Sequence, residues 1–216
     1  YAQYASATTG STHEEAMRII SKWYVIPELR MISQYWDDDG YLSCFESRGR
    51  KFDLDSYDHF LFSYHGVPVR QVDKVYEDQR CANHSCEDEI NDENKFCYKA
   101  TCFATTRALV KRLGIKDDQY SVAFQSRLDK KWLTPFSDQV VEELAKDGVK
   151  RLLVFSPAFV ADCLETIIDI IANIAAPNVL IMITFLLSYK SETLPIGNCA
   201  IAPEIANRNV TIDISN

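Results

Sequence analysis

Three short apolar runs, each followed by turn formers and then a helix-patterned stretch, constrain this chain more than any other feature. They are His59–Tyr64, Tyr120–Phe124 and Arg151–Phe155. Runs of this length, rich in aromatic and branched side chains and stopped in the first case by Gly66 and Pro68, read as buried strands. The spacing predicts helices over Phe96–Leu113, ended by Gly114, and over Pro135–Lys146, ended by Gly148, with a further helix starting near Ala161. Strands alternating with helices predict an α/β fold with a Rossmann-like, mostly parallel sheet and flanking helices.

Upstream, Ser11 or Thr12 is expected to cap a helix carrying Ala16, Ile19, Ile20 and Trp23 at helical spacing, with Glu14 and Glu15 in its first turn. A strand around Glu28–Ser33 and a helix over about Gly40–Arg50 are expected next, and Gln71–Asn94 is a polar, cysteine-rich excursion. At 47% hydrophobic and 25% charged, the 216 residues are enough for one good core and argue against disorder. A net charge of -8 with no basic stripe repels a phosphate backbone and excludes nucleic acid as the expected partner. Seven cysteines, an odd number, and an opening with neither a basic region nor an apolar core point to a reducing, cytoplasmic compartment. The missing initial Met and the Thr8–Thr12 turn suggest a chain that begins inside a larger protein.

His65 falls at the mouth of the first strand, Gln125-Ser126-Arg127 at that of the second and Ser156-Pro157-Ala158-Phe159 at that of the third. All three should converge on one rim, where open α/β sheets bind ligands. One histidine at a strand end is commonly a loop hydrogen-bonder. The helix expected after the third strand, however, carries Asp162, Glu165 and Asp169 at i, i+3, i+7, on one face. Such a row is usually the solvated side of a helix, but here its first turn would aim at the cleft of His65. An imidazole facing carboxylates suits proton transfer near neutral pH and binding of a divalent metal.

Cys81-x4-Cys86-x10-Cys97-x4-Cys102 forms a second constellation, able to hold zinc or an iron–sulfur cluster, though wider than the x2 knuckles of zinc ribbons. Free, partly buried thiols are the plainer reading. Cys44, Cys163 and Cys199 are isolated and expected to be buried.

Residues 1 to about 169 resemble the carboxyl-terminal part of the ferrochelatase family, which inserts ferrous iron into a porphyrin to make haem. The stretches that carry the resemblance are Tyr4-Ala5-Ser6-Ala7-Thr8-Thr9-Gly10-Ser11, Phe62-Ser63-Tyr64-His65-Gly66-Val67-Pro68, Phe124-Gln125-Ser126-Arg127, Trp132-Leu133-Thr134-Pro135 and Phe155 through Thr166. The resemblance implies that His65 and Glu165 are the catalytic pair, facing one another across the porphyrin, and that His65, Glu165 and Asp169 meet the iron. The next acid of the family's row would fall on Asn173. It further implies an apolar porphyrin pocket, for which Tyr64, Gln125, Ser126, Trp132 and Phe159 are the expected lining, and a two-iron two-sulfur cluster on Cys81, Cys86, Cys97 and Cys102. Porphyrin is the implied partner, with peripheral membrane association left open. A catalytically impaired fragment that binds porphyrin or an iron–sulfur cluster is the alternative.

The pattern breaks in two places. The loop Arg127–Lys131 is one residue shorter than the family's and lacks its glycine. The family's amino-terminal domain is not matched by these residues, and residues 170–216 are expected to form a divergent tail. In that tail Ile170–Leu187 is apolar apart from Asn173, Asn178 and Thr184, and Pro177 makes a turn followed by a buried strand, Val179–Leu187, a simpler reading than a membrane span.

Overall fold

The computed structural model describes residues 1–160 together with the backbone of 180–184 and 211–212. Strands β1 (His59–His65), β2 (Tyr120–Gln125), β3 (Arg151–Phe155) and β4 (Leu180–Thr184) form a parallel sheet in the order β2-β1-β3-β4, and the two-residue β5 (Thr211–Ile212) pairs antiparallel with β4. The strands expected at His59–Tyr64, Tyr120–Phe124 and Arg151–Phe155 are present to within one residue, and β4 falls inside the Val179–Leu187 run.

Side chains alternate across this sheet with a period of two, and both faces are covered. Phe60, Phe62, Tyr64, Val122, Phe124, Leu153 and Phe155 face one way. They pack under α2 (Asp39–Gly49) and α4 (Tyr98–Leu113), Val72 of the short α3 (Val69–Asp73) joins the same cluster, and Phe62 and Phe155 stack at 5.0 Å. Leu61, Ala123, Leu152 and Val154 face the other way, onto Val140 and Val141 of α5 (Ser137–Lys146). Gly114 and Gly148 end α4 and α5 with φ of 73° and 90°, the left-handed backbone a Cβ resists.

The sequence misplaces three features. Glu28–Ser33 is not a strand: it is irregular, pairs with no described strand, and Ile32 is 70% exposed. Local β-propensity forms no ladder without a neighbour. Helix α1 (Ser11–Ile20) exists, but Ser11 does not cap it. Its hydroxyl donates backward to the carbonyls of Ala7 (2.9 Å) and Thr8 (3.1 Å), because the wide helical turn Ser6–Gly10 runs straight into the helix. Met17, Ile19 and Trp23 are exposed. Cys44 is exposed as well, because α2 buries Tyr41, Leu42, Phe45 and Gly49 and turns Cys44 outward.

Candidate active site and thiol pocket

The order β2-β1-β3 puts a switch point at the carboxyl ends of β1 and β3. From its carboxyl end β1 leads outward to β2 through α4 on one face of the sheet, and from its carboxyl end β2 leads back past β1 to β3 through α5 on the other. Such diverging connections open a crevice. His65 closes β1 at this point, and its partner in register is Gln125.

The imidazole is held from several sides. Nδ1 lies 2.6 Å from the Gly66 carbonyl. A carbonyl only accepts, so Nδ1 carries the proton and the lone pair sits on Nε2. Around the ring stand Tyr1, stacked at 5.7 Å and 29°, Phe159 at 5.9 Å and 73°, and Trp132 at 6.3 Å. The Tyr98 hydroxyl, from the first residue of α4, donates to the His65 carbonyl at 2.8 Å. The Tyr98 side chain thus holds the His65 carbonyl, the Gly66 backbone holds its ring, and aromatic faces enclose it.

Gly66 makes the approach of the neighbouring loop possible. A Cβ there would lie 2.8 Å from the Gln125 carbonyl and 3.3 Å from Trp132 Cε3, while the Gly66 N–H donates to that same carbonyl at 2.7 Å. Trp132 is carried by a bridge to Pro68, with Val69 N–H donating to Lys131 and Leu133 N–H to Val67. The shortened loop Arg127–Lys131 is tied down: Arg127 makes a two-pronged pair with Asp138 at 2.5 and 2.7 Å and lies over the Phe136 ring. Ser126 adopts φ of 61°, an uncommon backbone for a residue with a side chain.

The expected rim therefore assembles around His65, Gln125, Ser126, Trp132 and Phe159, with one correction. Tyr64 does not line the cleft. It is fully buried beneath α4, its hydroxyl 2.8 Å from Thr106 Oγ1. Gln125 is itself nearly buried and accepts from Ser63 at 3.1 Å. Among the described residues, Gln125 Nε2 and Ser156 Oγ have no hydrogen-bond partner. Glu165 and Asp169, and with them Asp162, Asn173, Cys163 and Cys199, lie outside the described residues. Tyr1 and Tyr98 belong to the surroundings of His65 without having been read from the sequence. Tyr98 could have been suspected only from its place at the start of the long helix.

The thiol pocket lies at the other end of that start. Cys81, Cys86 and Cys97 are buried, and their sulfurs all lie within 4.8 Å of one another, Cys81 and Cys86 at 3.5 Å. Cys97 caps α4, and Asp73 Oδ1 accepts from the Cys81 N–H at 2.9 Å. Hydrogen bonds from the Cys81 and Cys97 thiols, helped by the nearby Lys99 ammonium, pull Cys86 toward its thiolate form, and Cys81 is pushed up in return. Cys102 does not join them. Five residues along a helix rotate a side chain by about 140° past its starting direction, so Cys102 points into the core, where burial pushes its thiol well up. Two-iron two-sulfur clusters take four cysteines in two separated pairs, and the described geometry supplies three sulfurs in one tight group.

A sequence model of the ferrochelatase family matches residues 1–177. The chain belongs to the ferrochelatase family. Among curated relatives, the ferrochelatase of Pseudomonas putida is 36% identical over 176 residues, covering 79% of this chain and 52% of the relative. That of Legionella pneumophila is 37% identical over 171 residues, covering 79% and 51%. The chain thus spans about half the length of these relatives. The ferrochelatase match reaches 177, a little beyond the quoted motifs, and contains both the His65 crevice and the thiol pocket. Among the described residues no helix is long and apolar enough to cross a membrane.

Proposed function

We propose that this chain supplies one wall of a ferrochelatase active site, a lyase that forms metal–nitrogen bonds by inserting ferrous iron into protoporphyrin IX or coproporphyrin in haem biosynthesis. The observation that carries the reading is the Gly66 carbonyl 2.6 Å from His65 Nδ1. With Nδ1–H held by the Gly66 carbonyl, Nε2 is the acceptor inside an aromatic enclosure. Such an enclosure suits a flat apolar macrocycle. Iron entry forms four iron–nitrogen bonds and releases two pyrrole protons. His65 Nε2 takes one. The second passes to a carboxylate of the Asp162, Glu165, Asp169 row, where Glu165 and Asp169 also meet the incoming iron, which is substrate and not resident cofactor. The free thiols suit a reducing cytoplasm.

The test is anaerobic metallation of porphyrin by the protein and by His65→Ala, followed by the shift of the porphyrin absorption band. The variant should lose on the order of 100-fold or more in rate, and equal rates would overturn the assignment of His65. Quenching of Trp132 fluorescence by porphyrin reads the binding step by itself. Quenching without metallation in the unsubstituted protein favours the second reading, a porphyrin-binding protein.

A further inference from the structure

The thiol pocket has no use in the reaction just described, and its surroundings are unusual. Between Val75 and Phe96 the backbone forms only turns and the short 3-10 turn Cys81–Asn83, and the segment is largely polar. Yet it buries three thiols. Their exposures are 4, 1 and 0%. Beside them the Tyr76 hydroxyl is buried and has no hydrogen-bond partner among the described residues, although the residue is only 3% exposed and interacts electrostatically with all three sulfurs. The Tyr76 ring is clamped by the His84 ring at 3.9 Å and 14°, and His84 is held in turn by Asp78 at 3.1 Å.

We infer that Cys81, Cys86 and Cys97 bind a single thiophilic divalent cation of the zinc class, with the Tyr76 hydroxyl donating to the Cys86 sulfur. The geometry favours one ion. Zinc–sulfur bonds of about 2.3 Å place tetrahedral ligands roughly 3.8 Å apart, and three sulfurs within 4.8 Å of one another need little movement to reach that spacing. A binuclear cluster requires a second pair on its far side, and Cys102 faces away. Binding forms three metal–sulfur bonds, and each thiol still holding its proton releases it to solvent. Three thiolates and a dication leave one negative charge, and Lys99, which pairs with Glu87, acts electrostatically on Cys86. Tyr76 acts through the sulfur and is a positioning residue.

The inference does not depend on the ferrochelatase reaction, and its test involves no turnover. Cobalt(II) is titrated into the reduced protein, visible bands of tetrahedral cobalt–thiolate are followed, and zinc is added to displace them. One ion per chain is expected. Cys86→Ser and Cys97→Ser should abolish the bands, Cys102→Ser should keep them, and Tyr76→Phe should weaken affinity by about tenfold or more. Because a cysteine variant can fail to fold, alkylation of the unsubstituted protein is read in parallel by mass spectrometry. Zinc should protect Cys81, Cys86 and Cys97 while exposed Cys44 reacts regardless. Two irons with two sulfides lost in Cys102→Ser, a Cys81–Cys86 disulfide in the reduced preparation, or no cobalt–thiolate bands would each overturn the inference.

Discussion

The half-buried strand mouth around His65 and the buried pocket of Cys81, Cys86 and Cys97 are both chemically armed, but different things hold them in place. His65 is the end of a strand paired on both sides, and its surroundings are fixed by ladders, by the close approach at Gly66 and by a bridge at Pro68. The pocket has no strand and only short regular pieces, the start of α4, the end of the helix Val69–Asp73 and the 3-10 turn Cys81–Asn83. Its walls are turns, buried Asn94 bonded to Asn91 and Glu89, and the donors themselves. One site is a by-product of the fold, while the other needs its own local bonds to exist.

Substitutions that strike the sheet should therefore separate the two. The largest effect is expected from Phe155→Ala, which empties the stack with Phe62 and should lower unfolding free energy by about 3–5 kcal/mol in urea titrations. In the native protein, thiol alkylation rates in the pocket should stay as they were. Next comes Gly66→Ala, whose added Cβ meets the Gln125 carbonyl. A cost of about 1–3 kcal/mol is expected, together with a changed Trp132 emission, and an unchanged emission would show that the mouth is less tightly built than its distances say. Asp38→Ala removes the side chain that accepts from Tyr41 N–H at the start of α2, at 2.9 Å. It should cost about 1 kcal/mol and leave both emission and alkylation unaltered, which makes it the control for general destabilisation.

The smallest effect is a pH slope. Burial disfavours the charged form of His59, lowering its folded-state pKa below the ordinary 6.5. The unfolded chain then takes up the proton first as pH falls. This contribution is whole above pH 6.5 and is lost through the window below it. His59→Gln, which can still face Ser121 Oγ, should flatten the dependence of the urea midpoint on pH in that window.

Much of the mouth was legible because strand signals are local. His59–His65 is bounded by turn formers, and its neighbours share the pattern, so the rim motifs could be aligned from sequence. The period of two even contained the correction for Tyr64, since it shares a face with Phe60 and Phe62, which turn into the core. Likewise the five-residue step from Cys97 to Cys102 on a helix already argued against a shared pocket. Glu28–Ser33 was not legible, because nothing local says whether a neighbour exists to complete a ladder. Nor was the bond from Tyr98 to the His65 carbonyl, which joins residues 33 positions apart and exists only once α4 has packed.

That bond has one more consequence. Tyr98 follows Cys97 directly, so the residue whose sulfur enters the pocket and the residue whose hydroxyl rests on His65 have Cα atoms only about 3.8 Å apart across a single planar peptide. A spectroscopic reporter on the Cys97 sulfur therefore sits on the same stiff piece of covalent frame as the strand mouth, and would register events at the imidazole without a label being placed in the cleft.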